Sequence, residues 1–209
     1  MTNTNSEQSG LIYPIGLFTL VAFVFIWSCI NPYDRFTWYL ESFPVMIIIP
    51  LLFATYQRFP LTKLLYALIA IHCIILLIGS HYTYAKVPFF DFLKDQLHLS
   101  RNHYDRLGHI AQGFIPAIAI RELLLRTSPL KSGKWLVAIL IFSCLGISAS
   151  YELLEWIVAV FTGEAADAFL GTQGDQWDTQ KDMFFALVGT VFSLATLSRW
   201  HDSFLAKMK

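Results

Sequence analysis

The chain has 209 residues, of which 56% are hydrophobic and only 14% are charged. Soluble domains carry about 25% charged residues, so this composition excludes an ordinary soluble domain and favours lipid as the solvent. Fifteen basic and fifteen acidic residues give a formal net charge of zero, which offers no argument for nucleic acid as a partner. We therefore expect an all-α membrane protein whose main partner is the lipid bilayer.

Six apolar segments approach the length of about 20 residues that a helix needs to cross the hydrocarbon core. The second is short unless Trp38–Glu41 joins it, and the polar residues 1–10 lack the basic stretch of a signal peptide, so the first segment is expected to be retained. The segments are Leu11–Ile30, Phe43–Tyr56, Leu64–Tyr82, Tyr104–Leu125, Trp135–Phe161 and Asp182–Trp200. They predict a six-transmembrane-helix bundle forming a single domain over 11–200, between a disordered tail 1–10 and a short tail 201–209.

The third connection contains an aromatic-rich stretch, Phe89–Leu97, between helices 3 and 4. Its alternation of apolar and charged residues could form a short amphipathic segment along the membrane surface. A plain loop with a short buried turn is the other interpretation of the same residues.

The distribution of basic residues predicts the orientation of the bundle, because cytoplasmic loops carry an excess of Lys and Arg. If the even-numbered connections and both termini share one face, that face carries nine of the fifteen basic residues, and the opposite face carries twelve of the fifteen acids. The nine are Arg58, Lys63, Arg121, Arg126, Lys131, Lys134, Arg199, Lys207 and Lys209. This bias predicts that both termini are cytoplasmic.

Helices 4, 5 and 6 each carry a stripe of polar side chains at the end predicted to face outward. Residues separated by three, four or seven positions share one face of a helix. The stripes are Asp105, His109 and Gln112 in helix 4, Glu152 and Glu155 in helix 5, and Asp175, Asp178 and Asp182 at the entrance of helix 6. We expect the three stripes to face one another.

Placing an ionised carboxylate near the bilayer centre costs about 2.5–3.5 kcal/mol of free energy, so these acids are expected to face one another in a polar site rather than the lipid. Arg101 and Arg106 are available as counter-charges. Hydrogen bonds that serve helix association alone are the favoured interpretation for Gln112, Ser148 and Tyr151. Six ionisable groups at one end exceed that need, so a functional site is predicted at Asp105, His109, Glu152, Glu155, Asp178 and Asp182.

Several chemistries fit this site. Carboxylates suit Mg, Ca or Mn, and imidazole from His109, His103 or His81 would suit Zn or Fe, so the cofactor could be a divalent metal ion of open identity. The candidate ligands are Asp105, His109, Glu152, Glu155 and Asp182. Paired carboxylates with a histidine would also perform acid–base catalysis on an envelope or lipid-linked substrate. No His-Glu-x-x-His, Gly-x-Ser-x-Gly, P-loop or dinucleotide fingerprint occurs.

Two other classes stay open. Intramembrane acids and histidines also build the relays of an ion- or proton-coupled transporter subunit, and a non-catalytic assembly partner would have a similar composition. The sequence leaves the substrate, a homo-oligomer and the choice between enzyme and transporter undecided.

Four motifs resemble the YjdF family of bacterial inner-membrane proteins. They are His81-Tyr82, Asp105-x-x-x-His109-x-x-Gln112-Gly113, Glu152-x-x-Glu155-Trp156 and Gly171-Thr-Gln-Gly-Asp-x-x-Asp-Thr-x-x-Asp182. The resemblance implies a multi-pass protein of the bacterial inner (plasma) membrane and implies no particular chemistry, because the function of that family is unknown.

A more distant similarity is to VanZ-like membrane proteins, which are linked to resistance to a glycopeptide antibiotic. Asp105-Arg106-x-x-His109 fits their first motif, but Glu155 stands where they have Gln and Ala186 where they have Asn. This similarity implies only an envelope-facing polar site.

Overall fold

The computed structural model describes residues 4–163 and 167–208, and those residues form helices and connections without a strand. The long helices are α1 (Thr4–Cys29), α2 (Arg35–Thr55), α3 (Lys63–Tyr82), α5 (Tyr104–Thr127), α6 (Lys134–Thr162) and α8 (Asp178–Ala206), and the short ones are α4 (Pro88–Gln96) and α7 (Asp167–Leu170). The all-α prediction is confirmed.

Five of these helices, α1, α2, α3, α6 and α8, are long and apolar enough to cross a membrane. Helix α5 does not meet that criterion within the described residues, although it has 24 residues. Its charged residues occupy both ends, with Asp105 and Arg106 at the start and Arg121, Glu122 and Arg126 in the last two turns. The structure therefore supports five spans by composition, one fewer than the sequence predicts.

Several boundaries differ from the sequence-based ones. Residues 4–10, predicted to be disordered, belong to α1, because extending an existing helix adds one hydrogen bond per residue without a new nucleation cost. Helix α2 includes Trp38–Glu41, as the prediction required for a full-length span. Helix α8 runs to Ala206, so most of the predicted tail 201–209 is helical.

Helix α4 corresponds to the aromatic-rich stretch Phe89–Leu97 between the third and fourth predicted segments, which are α3 and α5 in the structure. It is helical over Pro88–Gln96 and buries none of its residues. The structure thus favours the amphipathic segment over the buried turn. Phe90 packs edge-on against Tyr104 with ring centroids 5.1 Å apart, which attaches α4 to the start of α5.

Helix α5 lies at the centre, in contact with α3, α6 and, most extensively, α8. Two glycines permit the α5–α8 crossing: a Cβ atom at Gly113 would overlap the carbonyl of Ala186, and one at Gly189 would overlap the carbonyl of Ile110. The Thr190 hydroxyl contacts the Gly113 carbonyl oxygen at 3.2 Å. Small residues that let two backbones approach closely are typical of helix contacts in membranes. This crossing holds the polar starts of α5 and α8 side by side.

Candidate functional site

The entrance of α8 is held by the Arg106 side chain, which is only 4% exposed. Its guanidinium group lies 2.6 Å from Asp178 Oδ1 and 3.2 Å from Asp175 Oδ2, and it also pairs with Asp182 Oδ1. A planar guanidinium with five donors suits such multiple carboxylate contacts. One arginine of α5 therefore neutralises part of the acidic stripe of α8.

Arg101 fixes the loop that precedes α8. It lies 3.2 Å from Asp105 Oδ2, pairs with Asp178 Oδ1, and donates to the carbonyl oxygens of Gly171 and Thr172 at 3.2 and 3.3 Å. These contacts place the glycine-marked loop over the ends of α5 and α8.

The imidazole of His109 faces three carboxylates from three helices. Its Nε2 lies 3.4 Å from Asp105 Oδ1 and 3.8 Å from Asp182 Oδ1. Glu152 Oε1 of α6 lies 3.9 Å from the same nitrogen. One ligand atom each from Asp105, His109 and Asp182 lie within 4.8 Å of one another. The sequence predicted that polar stripes of α5, α6 and α8 face one another. These distances show that Asp105, His109, Asp182 and Glu152 do lie together.

Gln112 orients the His109 ring, with its Oε1 3.2 Å from Nδ1. When Gln112 Oε1 accepts the Nδ1 proton, neutral His109 keeps its lone pair on Nε2. That lone pair then points at carboxylate oxygens, which is unfavourable unless a proton or a metal ion lies between them. Gln112, expected to serve helix association, therefore lies where it can set the tautomer of His109.

Glu152 has an oxygen without a partner. The residue is 7% exposed, and its Oε1 has no hydrogen-bond partner among the described residues. Leaving a buried acceptor unsatisfied costs about 1–3 kcal/mol, and more for a charged group. Such a group in a folded protein indicates an ion, a water molecule or a ligand at that atom.

The charges of the cluster do not balance. Five carboxylates, Asp105, Asp175, Asp178, Asp182 and Glu152, face the cationic side chains of Arg101, Arg106 and Lys181 around His109. With the acids ionised, the carboxylates outnumber these fixed cations. A proton on His109 or a bound cation would offset part of the excess.

The other predicted residues lie at the margin of this cluster. Asp178 is paired with both arginines, so its charge is already compensated. Glu155 is half-buried one turn beyond Glu152, and it forms no ion pair within residues 4–163 and 167–208. His81 Nδ1 lies 3.0 Å from the Ser28 carbonyl oxygen and its ring packs on Trp27, so it joins α1 to α3.

One acidic residue of the site went unpredicted. Glu41 of α2 is 4% exposed, and its Oε2 has no hydrogen-bond partner among the described residues. It lies close enough to Asp105 to interact with it electrostatically. The available signal was a single Glu within an apolar helix, which by itself suggests a functional position.

Among the groups outside the spans, His103 and Asp175 lie near the two arginines and have shifted pKa values. Burial and the charges of Arg101 and Arg106 lower the pKa of His103, which favours the neutral ring at physiological pH. A hydrogen bond from Lys181 and one from the Trp177 amide lower the pKa of Asp175. The loop carboxylate is therefore ionised beside the arginines.

Apolar helices of membrane-spanning length around a buried ionisable cluster define an integral membrane protein. The chain belongs to the family described as "Predicted membrane protein (DUF2238)", whose model matches residues 13–203. It is 49% identical, over 178 residues and 85% of each chain, to "Inner membrane protein YjdF" of Escherichia coli (strain K12). No solved structure matches.

These matches confirm the resemblance to the YjdF family and the multi-pass inner-membrane location. The distant similarity to VanZ-like proteins receives no support from them.

Proposed function

We propose that this protein binds a divalent metal ion at Asp105, His109 and Asp182, with Glu152 as a fourth ligand. The observation that carries the proposal is the set of ligand atoms from three residues within 4.8 Å of one another. The unpartnered Glu152 Oε1, 3.9 Å from His109 Nε2, supplies the additional donor. The excess of carboxylates over fixed cations around His109 favours the binding of a cation.

The donor set narrows the choice of metal. Three carboxylates and one imidazole suit Mn, Fe or Zn better than an all-oxygen ion such as Mg or Ca. Asp105 keeps Oδ1 for a metal ion, because its Oδ2 pairs with Arg101. Asp182 would offer Oδ2, or share with the metal the Oδ1 that pairs with Arg106.

The topology around the site extends this proposal to six spans with both termini in the cytoplasm. Helix α5 has 24 residues and would measure about 36 Å, enough to cross the hydrocarbon core. Its charged residues are tolerable at that depth because Arg106, Arg121 and Glu122 are buried against protein rather than lipid. The metal site would then face the periplasmic side.

An envelope or lipid-linked substrate is the class that this position favours. Helix α4 lies beside the site, because Asn102 Nδ2 donates to Asp91 Oδ1 at 3.0 Å and to the Val87 carbonyl at 3.1 Å. Phe89 and Phe92 of α4 are 63% and 58% exposed, as expected of a helix that rests on a bilayer. A substrate arriving along the membrane surface would meet this helix first.

Elemental analysis of the detergent-purified, chelator-free protein tests the metal. We expect about one divalent ion per wild-type chain and loss of that ion in Asp105→Ala, His109→Ala and Asp182→Ala. Asp95→Ala is the matched control, since Asp95 is an exposed acid of α4 whose side chain makes no hydrogen bond or ion pair in the described structure. Wild-type protein without metal, or equal loss in Asp95→Ala, would refute the proposal.

Two assays then distinguish the remaining classes. Turnover of envelope lipids that depends on the metal would identify an enzyme. Ion flux in liposomes that is lost in His109→Ala would identify a transporter instead.

Cysteine labelling tests the orientation in a background without the three native cysteines. Gln176→Cys, in the loop before α8, is expected to react with an impermeant reagent from the periplasm, and Lys131→Cys, between α5 and α6, only from the cytoplasm. Both positions are exposed. The reverse pattern would place the metal site on the cytoplasmic side.

A further inference from the structure

A cleft of about 760 Å³ lies between α1, α2 and α3. Its lining comes from the middle of α1, the C-terminal half of α2 and the N-terminal half of α3, at the end of the bundle opposite Asp105 and His109. The volume falls within the range of about 300–1,000 Å³ that ligand pockets occupy. The cleft is thus separate from the proposed metal site.

Helices α1 and α2 flank the cleft, and each of them packs mainly on α3. At the end near the proposed metal site, Trp38 Nε1 donates to Ser28 Oγ at 2.9 Å and joins the two helices. Pro14 and Pro50 lie inside α1 and α2, where a proline removes a backbone hydrogen bond and favours a bend.

The lining of the cleft has an apolar part and a polar part, which suits a ligand with an apolar chain and a polar head group. Most of the lining is apolar. It includes Phe18 of α1 and Phe53 of α2, whose rings meet edge to face with centroids 4.7 Å apart. Its polar residues gather where α2 ends, at Tyr56, Gln57 and Arg58. No acid lines the cleft, and Arg58 is exposed without an ion-pair partner in the described part of the chain.

We propose that this cleft binds an anionic phospholipid of the leaflet that contains the α2–α3 connection. One acyl chain lies between α1 and α2, and the phosphate meets the Arg58 guanidinium, which matches phosphate oxygens bidentately. The surrounding helices are embedded in lipid, so an acyl chain fills an apolar opening there at no cost in exposed surface. A second copy of the chain would press helices against the opening and leave Arg58 without an anion.

Native mass spectrometry of the full-length protein tests the occupant. The detergent-purified protein is titrated with phosphatidylglycerol and, separately, with phosphatidylethanolamine carrying the same acyl chains. We expect tighter binding of phosphatidylglycerol and an affinity about five- to tenfold lower in Arg58→Gln. Arg199→Gln is the control, because Arg199 is an exposed arginine near the same end of the bundle, outside the cleft.

A second variant tests the cleft itself. Ala54 is exposed and lines the opening, so Ala54→Trp fills the cleft without disturbing a buried position. It is expected to abolish binding of both lipids while the unfolding temperature stays at the wild-type value. Equal binding of the two lipids by wild-type protein, or equal effects of Arg58→Gln and Arg199→Gln, would overturn the proposal. A dimer mass that Ala54→Trp removes would assign the cleft to a second copy instead.

Discussion

Two buried polar clusters lie at opposite ends of this molecule, and they differ in whether their charges and hydrogen bonds are satisfied. One cluster surrounds His109, and the other lies beyond the α5–α8 crossing, where Glu122 and His201 are both 0% exposed. Glu122 accepts from Thr62 N at 3.0 Å, from Thr62 Oγ1 at 2.7 Å, from Arg126 at 2.8 Å and from His201 Nε2 at 3.0 Å. Arg121 contacts His201 Nδ1 at 2.8 Å and Asp202 at 2.6 Å.

This second cluster is balanced. The two acids, Glu122 and Asp202, face two arginines, and His201 is neutral when Arg121 donates to Nδ1 and Nε2 donates to Glu122. Its contacts join the start of α3 to the ends of α5 and α8. The charges and hydrogen bonds are complete without any added group, which is typical of a structural network.

The cluster around His109 is unbalanced by comparison. It has an excess of carboxylates, an unpartnered Glu152 Oε1 and an unpartnered Arg101 Nε. A network that served only to hold helices would leave fewer such atoms, because each costs stability. Unsatisfied charges and hydrogen-bonding atoms, rather than polarity itself, thus distinguish the candidate site from the structural polar cluster.

Removing Glu122 should produce the largest loss of stability. Glu122→Ala leaves the amide and hydroxyl of Thr62 and Nε2 of His201 buried without their acceptor, so we expect the free energy of unfolding to fall by about 3–5 kcal/mol. Thermal unfolding in detergent measures the change, with Asp95→Ala as the exposed-acid control and metal content expected to be unchanged. A loss no greater than that of Asp95→Ala would contradict the structural role.

Binding of a divalent metal ion to the cluster around His109 should raise the free energy of unfolding. At a free metal concentration 100 times the Kd, binding adds about 2.7 kcal/mol to the free energy of unfolding. The rise in unfolding temperature should vanish in Asp182→Asn and persist in Glu122→Ala. Because a metal ion requires the unprotonated imidazole, the stabilisation should weaken as the pH falls. A metal effect that survives Asp182→Asn would place the ion elsewhere.

The α5–α8 crossing connects the two clusters and can be tested with a matched pair of glycines. A Cβ atom at Gly113 would overlap the Ala186 carbonyl, whereas one at Gly146 meets nothing within 4 Å. Gly113→Ala should therefore cost about 1–3 kcal/mol and reduce metal affinity, while Gly146→Ala should stabilise α6 by about 0.5–1 kcal/mol. Thermal unfolding compares them, and changes of the same sign would argue against the close crossing.

Gln112→Leu should weaken the metal site without removing a ligand. Loss of the hydrogen bond to His109 Nδ1 frees the ring, and removal of such a partner typically lowers metal affinity about 10- to 100-fold. Competition with a fluorescent chelator measures the affinity. The rescue variant Gln112→Asn should recover part of it, whereas equal affinities for wild type and Gln112→Leu would show that the ring is fixed by other contacts.

Asp175→Asn should have the smallest effect. The folded protein lowers the pKa of Asp175, chiefly through Lys181, so its contribution to stability exists above the pKa of the unfolded chain and is lost as the pH falls through the folded value. The wild-type unfolding temperature should therefore decline more than that of Asp175→Asn on acidification. Identical pH profiles would show that the loop contact adds nothing to stability.

Much of the helical layout could be predicted, because apolar length and proline positions are local properties. The periodicity also predicted that Asp105 and His109 share one face of α5. In the structure Asp105 Oδ1 lies 3.4 Å from His109 Nε2. The stripe likewise placed Gln112 beside His109. Glu41 was missed, since a lone polar residue in an apolar helix gives no information about which neighbour it meets.

The sequence alone established the solvent, the positions of the helices and the end at which the acids accumulate. The tertiary structure decided which partners those acids have. Asp178 pairs with both arginines, whereas Asp105 and Asp182 each lie near one arginine and near the His109 imidazole. Glu152 lies near the imidazole alone. Carboxylates with helical spacing are equivalent in a pattern, and the close crossing of α5 and α8 at Gly113 and Gly189 is what brings Asp178 and Asp182 of α8 to Arg106 and His109 of α5.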